Sequence, residues 1–440
     1  VSPGAAPASA KTISLVTATC IVVADMIGTG IFTSLGFQVG GLPSGFAIMV
    51  LWAVGGLCAL CGALSYAELG AALPRSGGEY HFLSTIYHPA VGFLAGWISA
   101  TVGFAAPVAL AAMAFGKYFA GVVPGANPLL FSLAAVWLTT LVLLRDVRLR
   151  SAFQNAATLL KVVLILVIIA AGVCVTGGQP VSLFPAPGDG RLISSAPFAI
   201  SLVYVMYAYS GWNASTYIVG EMRNPGRDIP RSVGLGTLLV VLLYLGVNAA
   251  FLRSTPMAEM AGKEQVALVA GGHLFGGAGT KVMAGLICAG LVSTISAMMW
   301  IGPRVTMTMG EDLRPLRWLA GKSAAGIPVR AMLVQFAIVN ALLLTSTFEK
   351  VLTYVQFSLQ VCSFLTVLGV MVLRRTQPGL ARPYKTWGYP ATPLVFLAIS
   401  AWMLVHMLRS NPWESLGGLA TMALGLGIYF LAPGRMDSVK

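Results

Sequence analysis

Residues 22–36, VVADMIGTGIFTSLG, are apolar enough to cross a bilayer, yet they hold Asp25 and a Gly28-Thr29-Gly30 triplet. A second run, residues 204–226 (YVMYAYSGWNASTYIVGEMRNPG), carries Ser210-Gly211 within an aromatic-rich stretch, with Asn213 just beyond. Gly-Thr-Gly by itself admits two readings. Small residues let neighbouring helices approach closely, and glycine is common in membrane spans. Alternatively, the helix unwinds there and frees backbone N–H and C=O groups. That is tolerated at membrane depth only where the backbone is buried in protein or lines a cavity. In the second case the freed groups have a definite chemistry. The half-helix after the break starts with unpaired N–H groups and a positive dipole end, suited to a carboxylate. The half-helix before it ends in bare carbonyls, suited to an ammonium. Thr29 and Gly30 are then expected to supply donors, and the carbonyls of Met26 and Tyr207 acceptors. A small zwitterion such as an amino acid satisfies both sets.

The elements that must position these segments are membrane helices. Of the 440 residues, 57% are hydrophobic and 9% are charged, against roughly 25% charged in soluble domains. Between Thr12 and Pro74 the only charges are Asp25 and Glu68. The apolar runs predict about twelve helices, the first at about 13–39, the third at 90–120, the sixth at 196–221 and the eighth at 279–309. No polar stretch is long enough for a separate soluble domain, so residues 1–440 read as one transmembrane domain. The net charge of +13 raises nucleic acid as a partner, but its distribution argues against one. With the N-terminus placed in the cytoplasm, 19 of the 27 basic residues fall on the inner side, among them Lys11, Arg75, Arg223, Arg227, Arg231, Arg435 and Lys440; seven fall outside. By the positive-inside rule this predicts a multi-pass protein of the cell membrane with both termini cytoplasmic.

The two candidate breaks lie at corresponding depths of the first and sixth helices. Interrupted helices at matching places in two halves point to a transport site built from inverted repeats. Five helices over about 13–176 and five over about 196–373 form the expected repeats, with two further helices at about 392–432. Neither cofactor nor metal is expected. The six cysteines all fall within predicted spans, the CxxC of Cys58 and Cys61 reads as apolar filling, and the four histidines form no ligand pattern.

Five segments in order carry a family resemblance: GTGIF (28–32), GALSYAELGAALPRSGGEY (62–80), SAFQNAATLLK (151–161), YAYSGWN (207–213) with EMRNPGRDIPRS (221–232), and RPYKTWGYP (382–390). The chain resembles the amino acid–polyamine–organocation superfamily, and within it the L-type amino acid transporter branch. The resemblance implies an all-α membrane protein with the leucine-transporter (LeuT-like) fold, broken helices one and six, and alternating access around a site between them. It implies that Tyr207 closes over the substrate, and that Ser210, Gly211 and Asn213 line the side-chain pocket or hold the broken helix. Animal members carry a cysteine after helix three that is disulfide-bonded to a single-pass partner. The matching loop here, 121–128, has none. A disulfide-linked heavy chain is therefore not expected, and a free-standing prokaryotic carrier is.

Lys161 lies eleven residues past Arg150, about 16 Å along a helix and near the middle of a core about 30 Å thick. Snorkelling over that distance is strained, and an inward-facing lysine with a partner is the better expectation. In sodium-coupled relatives a cation joins helices one and eight, and the resemblance places Lys161 where its ammonium would replace that ion. Sodium-independent transport of neutral L-amino acids, by exchange or linked to protons, is the resulting expectation. Asp25 is a candidate partner for Lys161, the alternative being a local hydrogen bond in a hydrated cavity. Glu68 and Glu221 are expected at an inner gate, with Arg223, Arg227 and Asp228 as possible pairing groups. A cationic amino acid or polyamine exchanger is the rival within transport. It needs a carboxylate at the distal end of the substrate, and Asp25 is the only acid near either break. A membrane-embedded enzyme is disfavoured, since the chain has no HExxH, no GxSxG and no paired intramembrane carboxylates.

Overall fold

The first apolar run forms two helices. In the computed structural model, which describes residues 13–431 apart from 124, 145–146, 176–177, 180 and 324–325 and the side chains of 147–153, Ser14 caps α1 (Leu15–Met26) by accepting from the Thr17 N–H. The Ile27 N–H makes the last bond of that helix, to Val23 O, the Gly28 and Thr29 N–H groups make none of that kind, and α2 (Gly30–Gln38) follows. Lys11, Arg435 and Lys440 of the charge count lie outside the described residues.

The remaining spans follow in the expected order. They are α3 (Gly45–Ala72), a short α4 (Glu79–Ile86), α5 (Pro89–Val122), α6 (Pro128–Leu143), α7 (Val147–Cys174) and α8 (Ala196–Tyr209). A 3-10 helix, Ala214–Glu221, comes next. After it come α9 (Pro225–Ser254), α10 (Val266–Asp312), α11 (Val329–Thr345), α12 (Phe348–Thr376), α13 (Ala391–Ser410) and α14 (Pro412–Leu431). Among the described residues, nine elements are long and apolar enough to span a bilayer, counting α1 and α2 as one. With the shorter α6 and α11 and the interrupted sixth span, that makes the twelve expected passes.

Two boundaries differ from the sequence reading. The eighth span starts at Val266 instead of about 279, because the chain stays helical on both sides of a bend at Gly276, where φ is 66°. The sixth span is α-helical only to Tyr209; its second half is the tighter 3-10 form. The fifth element also carries a π-turn at Ser99–Gly103, a local widening often found at functional sites. It faces the region where the two breaks meet, as its Ser99 and Gly103 line the cavity there.

Packing brings the breaks together. The α1 helix lies against α9 and α7, while α8 lies against α3 and α2. An edge-to-face cluster of Trp52, Tyr209 and Tyr244 fills the space behind both breaks. Trp52 is held by its indole N–H, which donates to Gln38 at 3.0 Å.

Candidate substrate site

Two glycines set the distance between the breaks. A Cβ at Gly30 would lie 2.5 Å from Ala208 Cα, so the start of α2 touches the last turn of α8 only because residue 30 has no side chain. At Gly211, φ is 99°, a left-handed conformation that favours glycine. A Cβ there would meet Asp25 Oδ2 at 2.8 Å and the Asp25 carbonyl carbon at 2.9 Å. Each break therefore rests on the backbone of the other span.

The orphan groups follow. Among the described residues, the N–H groups of Thr29, Gly30 and Ile31 donate to no backbone acceptor, and neither do those of Gly211, Trp212 and Asn213. They are the unpaired donors that a helix start leaves. The carbonyls are different. Met26 O accepts from the Gly28 N–H at 2.8 Å, and the Tyr244 hydroxyl lies 2.6 Å from it and 3.2 Å from Ala208 O. Tyr207 O accepts from the Ser210 N–H at 3.0 Å and the Ser210 hydroxyl at 2.7 Å. The two carbonyls expected to meet an ammonium are thus already paired within the protein. An ammonium on Met26 O or Tyr207 O would therefore have to share or displace these internal partners. An aromatic hydroxyl six spans further along the chain and a serine folded back on its own helix both lie beyond what spacing reveals.

Lys161 is buried and fully engaged. Its ammonium donates to Ala24 O (3.0 Å), Ile27 O (2.9 Å) and the Thr294 hydroxyl (2.7 Å), which uses all three donors. It bridges α1, α7 and α10 at the C-terminal end of α1, where the helix dipole favours a cation. No direct ion pair between Asp25 and Lys161 forms among the described residues, although the two charges lie near enough to act on each other. Asp25 is buried, and its Oδ1 has no hydrogen-bond partner.

These residues border two adjoining cavities. The narrower, about 10 Å³, is lined by Asp25, Met26, Gly28, Thr29, Gly30 and Tyr207, with Ser210 and Thr294. The Tyr207 hydroxyl and Thr29 Oγ1 lie 2.9 Å apart across it. The wider, about 60 Å³, is lined on one side by Ser210, Gly211, Trp212 and Asn213. Asp25, Pro107, Ser210 and Met298 belong to both. Every site residue named from the sequence except Lys161 lines one or the other; Lys161 stands behind the first break. Asn213 points its amide at the Tyr217 hydroxyl, 3.2 Å away.

The wider cavity also holds a carboxylate that the sequence reading missed. Glu79, on α4 and outside the spans, lines it together with Gln356 and Gln360 of α12. The Tyr66 and Ser363 hydroxyls both donate to Glu79 Oε1. Burial pushes the Glu79 carboxyl up to about 7, against the lowering effect of those two bonds. Gln356 donates to Gln360, which donates to Ser400, and this leaves Gln356 Oε1 buried without a partner. No lysine, arginine or histidine lines either cavity among the described residues. The only signal for Glu79 was its place in the GGEY of an apparent loop.

Ion pairs close the bundle end that carries most arginines. Glu68 is held by Arg374 at 2.6 and 2.8 Å and by the Thr386 N–H and hydroxyl at 2.7 Å, with Arg382 at 3.4 Å. Glu221 is held by Arg304 at 2.6 Å, and Asp312 by Arg75 at 2.6 Å. Glu68 and Glu221 do form cross-helix pairs, but with Arg374 and Arg304. Arg223, Arg227 and Asp228 take no part in an ion pair among the described residues, which corrects the expectation for them.

The geometry is matched by the relationships of the whole chain. A family model described as amino acid permease covers residues 13–416. The mouse (Mus musculus) b(0,+)-type amino acid transporter 1 is 27% identical over 429 residues, 96% of this chain and 88% of that protein. The mouse Asc-type amino acid transporter 1 is 28% identical over 432 residues, 96% and 81% of the two chains. The rabbit (Oryctolagus cuniculus) large neutral amino acids transporter small subunit 2 is 29% identical over 450 aligned positions, 98% and 82% of the two chains.

Proposed function

The chain belongs to the amino acid permease family, and from that premise we propose that it carries neutral L-amino acids across the cell membrane by alternating access, without sodium, as an exchanger or linked to protons. The observation that carries this reading is the pairing of orphan N–H groups at Thr29, Gly30 and Ile31 with the unpartnered carboxylate oxygen of Asp25. The substrate carboxylate lies on the N-terminal end of α2, where the dipole favours it. Its ammonium lies on Asp25, since the nearby carbonyls of Met26 and Tyr207 are engaged. Tyr207 covers the α-groups, and the side chain extends past Ser210 and Asn213 into the wider cavity. The engaged ammonium of Lys161 stands in for a coupling ion. Residues 13–176 and 196–373 move as inverted repeats, and the Arg75, Arg304 and Arg374 pairs break as the inner end opens. The partly exposed Arg75–Asp312 pair is worth only about 0–1 kcal/mol, whereas Glu68 is 1% exposed, so its pair with Arg374 parts only as water or other partners take over the lost bonds. The loop at 121–128 offers no cysteine to a disulfide-linked partner, and the carrier acts without one.

A second reading is favoured by one observation. Glu79 and Gln356 Oε1 place acceptors at the far end of the cavity, which suits a cationic side chain. Counterflow in sodium-free proteoliposomes tests both readings. Exchange of unmodified leucine or alanine supports the first, and exchange of lysine or arginine supports the second. No exchange of any amino acid, or return of a modified product, overturns both.

A further inference from the structure

Away from the central cavities, a recess of about 820 Å³ opens between the start of α9 and the segment before α13, lined by Arg223, Arg227, Arg231, Pro383 and Tyr384. It adjoins an almost wholly apolar recess of about 560 Å³ lined by Leu57, Leu60, Leu235, Leu238 and Trp387. Leu64 and Pro230 belong to both. We propose that the two recesses together hold one anionic phospholipid of the cytoplasmic leaflet. Its phosphate rests among Arg223, Arg227 and Arg231, and an acyl chain lies along Leu57, Leu235 and Leu238.

The charges support it first. Arg227 and Arg231 are four residues apart on α9 and so share one helix face, with Arg223 just before the helix. None of the three makes a side-chain hydrogen bond or ion pair among the described residues. The nearby Glu68 cannot serve them, because Arg374, Arg382 and Thr386 already surround it. Asp228 is buried and does not line the recess. Three like charges within nine residues repel one another, and an anion among them relieves that repulsion.

The shape supports it second. A free phosphate would use only the basic half and an apolar segment only the other, whereas a molecule with an anionic tip and a hydrocarbon tail fits both. Leu57 and Leu235 are about half exposed and face outward from the bundle, and Trp387 is 78% exposed. Tryptophan at that position marks headgroup depth. The excess of basic residues assigns this end to the cytoplasmic leaflet, where anionic lipid attracts basic segments beside a span. The site also adjoins the gate. The Arg223 N–H donates to Ile13 O, the Ile13 N–H donates to Glu221 O, and Glu221 holds Arg304. Lipid on Arg223 therefore steadies the closed inner end.

The test uses the full chain in phosphatidylcholine vesicles with and without phosphatidylglycerol brominated on its acyl chains. Quenching of Trp387, isolated by difference from Trp387→Phe, reads occupancy. Brominated phosphatidylglycerol is expected to quench at far lower mole fraction than brominated phosphatidylcholine. In the triple variant Arg223→Gln, Arg227→Gln, Arg231→Gln that preference falls on the order of a hundredfold, at roughly fivefold per arginine. Leu235→Trp, which keeps the arginines and fills the apolar half, also loses it, so the test survives misfolding of the triple variant. Equal quenching by both lipids, a preference that persists in either variant, or displacement by glycerol phosphate or inorganic phosphate would overturn the proposal; the last would mark a free-phosphate site.

Discussion

The two broken spans are built to opposite ends. At the first break the protein satisfies its own freed carbonyls: Lys161 takes Ala24 and Ile27, and Tyr244 takes Met26. At the second, the Ser210 cap closes the end of α8, but the chain beyond it stays open, with unpaired N–H groups at Gly211, Trp212 and Asn213 beside the wider cavity. One break is braced across three helices and the other borders free space. On the proposed reading a carrier uses both, with a fixed anchor for the α-groups common to all amino acids and an adaptable surface for the side chains that differ. The difference also isolates Asp25. Among the described residues its Oδ1 is the one buried side-chain oxygen of the first break without a partner, beside the orphan N–H groups of Thr29, Gly30 and Ile31, and it sits against Gly211 of the second.

Removing the brace should have the largest effect. Lys161→Ala strips the ammonium from three buried acceptors and is expected to cost roughly 2–5 kcal/mol, read as a lower Tm, with uptake near background. Unchanged uptake and an unchanged pH profile would show that the first break needs no brace. Asp25→Asn comes next. Loss of a charged hydrogen bond to the substrate ammonium, about 1.5–3 kcal/mol, should lower kcat/KM by about 10- to 150-fold with little change in Tm. Uptake equal to the unsubstituted protein would place the ammonium elsewhere and undo the contrast between the breaks.

Glu79→Gln sharpens the account of the open side. Burial raises this carboxyl to about 7, so it is largely protonated at pH 6 and largely ionised at pH 8. If the cavity takes cationic side chains, lysine uptake relative to leucine rises across that interval. The glutamine variant then shows a flat profile and a ratio lower by roughly tenfold at pH 8, the worth of one charged hydrogen bond. A ratio that does not move with pH in either protein leaves the neutral reading alone. The smallest effect belongs to Tyr207→Phe, which removes the hydroxyl contact with Thr29 while keeping the ring. A neutral hydrogen bond is worth about 1 kcal/mol, so a roughly fivefold rise in KM is expected in an uptake assay. A loss as large as that of Asp25→Asn would make the hydroxyl, rather than the ring, the part that matters.

Much of this architecture could be read from residue order. Long apolar runs mark the spans because bilayer thickness sets their length. Gly-Thr-Gly and Ser-Gly mark the breaks because few other residues allow a backbone to unwind or cross so closely. Lys161 announced itself as a charge too deep to reach water. The charge-pair expectations fared less well. Glu68 found Arg374 from a helix some three hundred residues away instead of the arginines nearest Glu221 in the chain.

Sequence alone therefore settles where the chain must be apolar, where it can break and which charges are stranded, since each is a local property of composition and backbone freedom. It does not settle how the stranded groups are matched. Whether a freed carbonyl meets a tyrosine, a lysine or a ligand depends on which distant helices stand beside it, and Glu79 enters the cavity only because α4 folds beneath it. Hydrogen bonds act over about 3 Å, and proximity on that scale comes from packing, not from spacing along the chain.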